Sequence, residues 1–160
     1  MSFVRMLVAC ALLAVPVTAR AQFVQPAAAP EGALAVPQDH VMQIDELNHM
    51  LKDGKAGKPL ILQVGSHVMF AQAHIPGSQY AGPGSQPEGL QLLHTKVINH
   101  SKDELIVLYC GCCPWARCPN VGPAYAYLVR MGFTHVKVLF IANNFGDDWV
   151  SRGYAVEKGE

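Results

Sequence analysis

The sequence has no excess charge of either sign: 12 Lys and Arg stand against 12 Asp and Glu in 160 residues. Without a basic field there is nothing to neutralise a phosphate backbone, so nucleic acid is excluded as a partner. Internal repeats and low-complexity tracts are absent beyond one Ala- and Pro-rich stretch, which excludes repeat architectures. After Met6 to Val17 no second apolar run of that length follows, so no retained membrane span is expected. Seven histidines are present, but none forms a His-x-x-x-His pair near the other candidate ligands, so a histidine metal site lacks its usual signature. Between Cys10 and Cys110, and again after Cys118, there is no cysteine at all.

That last absence concentrates attention on what is there. Tyr109-Cys110-Gly111-Cys112-Cys113-Pro114-Trp115-Ala116-Arg117-Cys118-Pro119-Asn120 holds four of the five cysteines and follows the apolar run Leu105-Ile106-Val107-Leu108. Thiols placed between a buried strand and a helix start can meet backbone N–H groups and a helix dipole, both of which favour a thiolate.

The N-terminus reads as an address. Arg5 supplies a positive start, Met6 to Val17 is nearly all apolar, and Ala19-Arg20-Ala21 has the small-x-small form of a cleavage site. Residues 1–21 are therefore expected to be a secretory signal peptide, cleaved after Ala21. Leu7-Val8-Ala9-Cys10 looks like a lipoprotein box but comes too early, with most of the apolar run after it, so Cys10 is expected to be discarded. Removing Arg5 and Arg20 leaves ten basic residues against twelve acidic ones, a net charge of −2 for the mature chain. The mature protein is expected to be exported, in the periplasm, where disulfides persist and free thiols need a reductant.

Residues 22–38, broken by Pro26, Pro30 and Pro37, are expected to be an extended or disordered linker. The domain follows at 39–160. Asp45 is the expected cap of a helix carrying Leu47, Met50 and Leu51 and ended at Gly54. Pro59 to Val64, Leu105 to Tyr109 and Val136 to Phe140 read as buried strands, and Gln79 to Ala81 as a short one. Gly89 to Ile98 reads as an amphipathic helix, and Ala124 to Met131 as another, with Asn120 as its N-cap and Gly132 as its stop. Asp147 or Asp148 is expected to open a last short helix containing Trp149. This alternation predicts a single three-layer α/β domain with a mainly parallel sheet covered by helices on both faces. Ligands of such sheets sit at the carboxyl ends of the strands, which is where Cys110 falls.

Phe70-Ala71-Gln72-Ala73-His74-Ile75-Pro76-Gly77-Ser78, the strand ending in Tyr109-Cys110, Met131-Gly132-Phe133, and the closing Trp149 to Tyr154, in this order, resemble a rhodanese-like domain. The resemblance covers roughly residues 41–157. It implies a sulfurtransferase or sulfur carrier, thiosulfate sulfurtransferase-like, in which a cysteine ending the central strand becomes a persulfide. It also implies a small sulfur donor, a thiol acceptor, and no cofactor.

Cys110 is the position corresponding to that cysteine. Cys112 is a rival, because Arg117 stands at the family's usual offset from Cys112 and too far from Cys110. Cys113 and Cys118 would resolve or protect the persulfide. N–H groups from Gly111 to Arg117 would cradle it, with Gly111, Pro114, Trp115 and Ala116 forming the loop and Trp115 its lip. Two departures stand out: Gln63-Val64-Gly65 replaces the usual Asp-Val-Arg, and Met69 replaces a Glu, so an ion pair of the family is missing as a unit.

Three other readings of the cysteines stay open: a disulfide staple, with Cys110 or Cys112 joined to Cys118; a dithiol redox site served by an exported reductant; and a soft-metal site for zinc or Cu(I) on Cys110, Cys112, Cys113 and Cys118. The staple or the metal would make the domain a non-catalytic binding module. His74 is expected to bond backbone within its turn, His67, His94, His100 and His135 to be surface or loop residues, and His40 and His49 to be solvated. Asp147-Asp148 reads as helix N-terminal charge rather than a metal pair.

Overall fold

The computed structural model describes residues 35–54 and 57–159. The stretch expected to be a signal peptide, with Cys10, and most of the expected linker lie outside them. Five strands, β1 (Val41–Met42), β2 (Leu60–Gln63), β3 (Gln79–Tyr80), β4 (Ile106–Tyr109) and β5 (Val136–Leu139), form one parallel sheet in the order β1-β5-β4-β2-β3. Helices α1 (Ile44–Asp53), α2 (His67–Gln72), α3 (Pro87–Val97), α4 (Val121–Arg130) and α5 (Phe145–Asp148) fill the connections. The three-layer parallel α/β fold is the one expected.

Side chains alternate across each strand, and the alternation makes two cores. On one face Leu62, Leu108 and Val138 pack with Leu93 of α3 and Leu128 of α4. On the other, Ile61, Val107 and Leu139 pack with Leu47 of α1 and with Trp149, which is 1% exposed. Tyr109 belongs to the second face and Cys110, the next residue, to the first. The central strand therefore ends by sending adjacent side chains to opposite sides of the sheet.

Several local expectations need correction. At the end of the stretch expected to be a linker, Val36 is buried in the first core and Gln38–His40 forms a 3-10 turn, so these residues pack on the domain. Gln43, not Asp45, holds the N-cap position of α1; Asp45 lies in the first turn and accepts from Arg152 at 3.2 Å and from the Tyr154 hydroxyl. Helix α5 is capped by Asn144, whose side chain accepts from the Asp147 N–H at 2.9 Å, while Asp148 accepts from the Asn143 N–H. His40 is half-buried rather than solvated, with Nδ1 2.8 Å from the Val136 carbonyl.

Candidate functional site

The site is built where β2 and β4 end. Gln63 is buried and donates from Nε2 to the Cys110 carbonyl at 3.0 Å, while its Oε1 accepts from the Gly65 N–H at 3.1 Å. A Cβ on Gly65 would stand 2.9 Å from the Cys110 Sγ, so only glycine leaves room for this sulfur. The two departures in Gln63-Val64-Gly65 therefore have a shared cause: a neutral amide ties the loop down, and an absent side chain admits the thiol. Gly111 turns the chain with φ 71°, its carbonyl accepting from the Phe145 N–H at 2.9 Å.

Four free thiols gather beyond this turn. Cys110 Sγ lies 2.8 Å from Cys112 Sγ, and Cys112 Sγ 3.6 Å from Cys113 Sγ. Cys110 is 5% exposed and Cys118 is buried, whereas Cys112 and Cys113 are half-buried. The Cys112 thiol is drawn down to about 6, first by the hydrogen bond from Cys110 and further by Cys113 and the N–H groups of Ser66 and Cys112, against the cost of burial. Cys110 is raised in turn, because its hydrogen bonds to Cys112 and Cys118 need its proton and because it is buried. Cys118 is lowered to about 6, by Cys110 first and then by the N–H groups of Asn120 and Val121. Cys110 has one S–H to give and two sulfur neighbours, Cys112 and Cys118, to receive it. Cys113 is pushed up to about 12 by burial and by the charge at Cys118.

The loop itself supplies less than the sequence suggests. The Trp115 N–H donates to the Ala142 carbonyl at 3.1 Å, the Arg117 N–H to the Pro114 carbonyl at 2.9 Å, and Pro114 has none to give. Of the expected Gly111 to Arg117 cradle the Cys112 N–H is a donor to sulfur, and Ser66 and the start of α4 add donors from outside the loop. Trp115 packs against Phe140, ring centroids 5.2 Å apart, and holds the loop down. Ala116 and Arg117 are exposed, and the largest influences on the thiols come from sulfur and N–H donors rather than from the guanidinium.

Two openings reach this end of the sheet. A cavity of ≈190 Å³ on the Tyr109 side is bounded by Gln63, Met69, Tyr109, Cys110 and Phe145. A groove of ≈370 Å³ on the other side is bounded by Ser66, His67, Tyr80, Ser85, Cys112 and Asn120. Cys112 therefore faces a solvent-accessible groove. His74, as expected, is structural: its Nδ1 lies 2.8 Å from the Phe70 carbonyl and its ring stacks on Phe70.

Asn120 was legible only as an N-cap. It occupies that position on α4 but makes no side-chain cap bond, and its Nδ2 lies 3.4 Å from Cys110 Sγ and 3.9 Å from Cys112 Sγ. Three sulfurs, of Cys110, Cys112 and Cys113, lie within 4.8 Å of one another. Tetrahedral zinc bound at about 2.3 Å to each sulfur would hold its ligands about 3.8 Å apart, so Cys110 and Cys112 would have to separate, with Cys118, next to Cys110 and Cys113, as the fourth candidate ligand.

The sequence profile of the rhodanese-like domain matches residues 43–140. The chain belongs to the rhodanese-like domain family. Solved structures agree on the fold. A Bacillus halodurans protein superposes with a TM-score of 0.58 at 24% identity, over 74% of this chain and 77% of that one. The rhodanese-like domain of an Anabaena sp. protein gives 0.57 at 19% identity, over 74% and 79%. A Rhodopseudomonas palustris protein, described as of unknown function and a possible tyrosine phosphatase, gives 0.51 at 18%, over 74% and 84%. Among curated proteins none matches this sequence. Rhodanese-like membership supports sulfurtransferase-type or related chemistry in general and sulfur-transfer partners in general. No helix among the described residues is long and apolar enough to cross a membrane.

Proposed function

We propose that this rhodanese-like protein is a sulfurtransferase or sulfur carrier in which Cys112 takes up sulfane sulfur and Cys110 is its proton-holding and resolving partner. The observation that carries this reading is the difference between two sulfurs 2.8 Å apart: Cys110 is buried, whereas half-buried Cys112 faces the groove and is drawn down to about 6. A thiolate is the nucleophilic form, and this one needs no general base. Strand register favours Cys110 as the attacking sulfur, but its burial and its retained proton oppose that role.

In the loading step Cys112 Sγ⁻ attacks the outer sulfur of a donor such as thiosulfate. The new S–S bond forms as the donor's own S–S bond breaks, and sulfite leaves with the electron pair. An acceptor thiolate then takes the outer sulfur from Cys112 and regenerates the thiolate. With no acceptor present, Cys110 attacks the inner sulfur of the persulfide, its proton leaves with the sulfide, and a Cys110–Cys112 disulfide remains for an exported thiol reductant. The redox and sulfur-transfer readings thus share one pair of atoms. Export rests on Ala19-Arg20-Ala21 and the run before it, and N-terminal sequencing of secreted protein should begin at Gln22.

Peptide-resolved mass spectrometry tests the reading after treatment with thiosulfate and, separately, with an organic persulfide. A cyanide-labile gain of about 32 Da is expected on Cys112 in the wild type and in Cys110→Ser, and not in Cys112→Ser. The reading is rejected if neither donor leaves an adduct on any loop cysteine.

A further inference from the structure

Asn120 is 6% exposed, and its two amide atoms have different and unambiguous partners. Its Oδ1 lies 3.2 Å from the Ser85 backbone nitrogen and 2.8 Å from the Ser85 hydroxyl. A backbone N–H can only donate, so the atom facing Ser85 must be the oxygen, and the NH₂ is thereby turned toward Cys110 and Cys112. The amide orientation is fixed by a residue 35 positions away in sequence.

The turn that carries Ser85 is built for close approach. A Cβ on Gly84 would lie 2.3 Å from the Asn120 carbonyl oxygen and 2.9 Å from the Ala124 Cβ. Gly82, with φ 80°, would place a Cβ 2.6 Å from the Gly89 Cα, and Gly89 one 2.0 Å from the Pro83 carbonyl oxygen. Gly84 lets the Gly82-Pro83-Gly84-Ser85 turn press onto the start of α4, while Gly82 and Gly89 let the same turn fold against α3. The Gly84 N–H, 3.2 Å from the Val64 carbonyl, anchors the same turn to the end of β2.

We propose that Asn120 is a further catalytic residue of this site, donating its amide hydrogens to the reacting sulfurs, and that Ser85 is the positioning residue that sets the direction of that donation. The proposal rests on the sulfur-transfer reading for the identity of the reaction, and on geometry for the donor. An N–H aimed at sulfur favours the anionic form, whether thiolate or persulfide, and holds it toward the groove. The titratable groups around the pair are the Cys113 and Cys118 thiols from the same loop, with His67 of α2 and Tyr80 of β3 across the groove. Arg117 is exposed on the loop.

The test compares wild type with Asn120→Asp, Asn120→Ala, Ser85→Ala and Ser85→Thr in the full mature chain. Asn120→Asp keeps the shape and adds a negative charge that a helix N-terminus tolerates, but it turns a donor into an acceptor, so it separates chemistry from folding. Two readouts are taken: the rate at which an organic persulfide loads Cys112, and the pH midpoint of Cys112 alkylation by iodoacetamide. Thermal unfolding serves as the control for intact structure.

Asn120→Asp should slow loading by about tenfold or more and raise the midpoint by more than about one pH unit. Asn120→Ala should follow with a smaller shift. Ser85→Ala should cost about two- to threefold, with Ser85→Thr restoring the wild-type values. Folded Asn120→Asp and Asn120→Ala proteins with wild-type rate and midpoint would overturn the proposal and leave Asn120 a turn residue. If the wild type itself takes no sulfur from any donor, the sulfur-transfer reading fails separately, and the alkylation midpoints still decide whether Asn120 is a donor.

Discussion

Tyr109 and Cys110 are neighbours at the end of one strand, both buried and both raised, but only Cys110 stands beside a group that is lowered, Cys112. The Tyr109 hydroxyl lies in the second core, 3.3 Å from the Ile75 nitrogen and 3.0 Å from the Ser78 hydroxyl. Burial pushes it up to about 12, outweighing the bonds to Ser78 and Ile75. It stays neutral and ties β4 to the Ile75–Ser78 turn. On the other face, the Cys110–Cys112 pair is also partly desolvated, yet Cys112 is drawn down to about 6 because its donors outweigh its burial. Depth alone therefore does not make a reactive group. What differs is the balance between desolvation and hydrogen bonds to the anion, together with an opening to solvent.

The comparison can be broken most completely at the sulfur itself. Cys112→Ser should abolish sulfur loading, a loss of at least about a thousandfold, measured by persulfide mass spectrometry, while the Tyr109 side keeps its structure. Cys110→Ala removes the first cause of the low Cys112 midpoint and should raise it by more than about one pH unit; Cys110→Ser, whose O–H can still donate, should raise it less. Site-resolved alkylation reads both shifts.

Tyr109→Phe makes the reciprocal cut. It leaves the Ile75 N–H and the Ser78 hydroxyl without their partner, so denaturant unfolding should show a loss of about 1–3 kcal/mol, with the Cys112 midpoint unmoved. Arg117→Ala should have the smallest effect, within about 0.5 kcal/mol of stability. A marked rise of the Cys112 midpoint in that variant would return the exposed arginine to the site.

The parts of the molecule that were readable from sequence are those whose cause is local. β2 and β4 are near-continuous apolar runs because both of their faces are buried, β5 is broken only by half-buried Lys137, and Gly54 and Gly132, at φ 59° and 87°, stop helices as left-handed glycines do. β1 was not readable: two residues carry no period, and Val41 and Met42 are a strand only because Val138 and Leu139 pair with them. α2 was missed for a related reason, since a six-residue helix that buries Phe70 alone shows no amphipathic pattern. The location of the site followed from Tyr109-Cys110 at a strand end. The division of labour within it did not, because Ser66 and Gly65 meet the sulfurs, and Ser85 meets Asn120, only across the fold.

The central claim is that Cys112 is the thiolate and that Cys110 holds the proton. Alkylation of the reduced protein across pH 4 to 10, resolved by peptide, tests it most directly. A depressed thiol is protonated below its midpoint and reactive above it, so labelling of Cys112 should rise through about pH 6 and level off by neutrality, ahead of buried Cys110 and Cys118. First labelling at Cys110, or a Cys112 midpoint near the ordinary thiol value of about 8.5, would contradict the account.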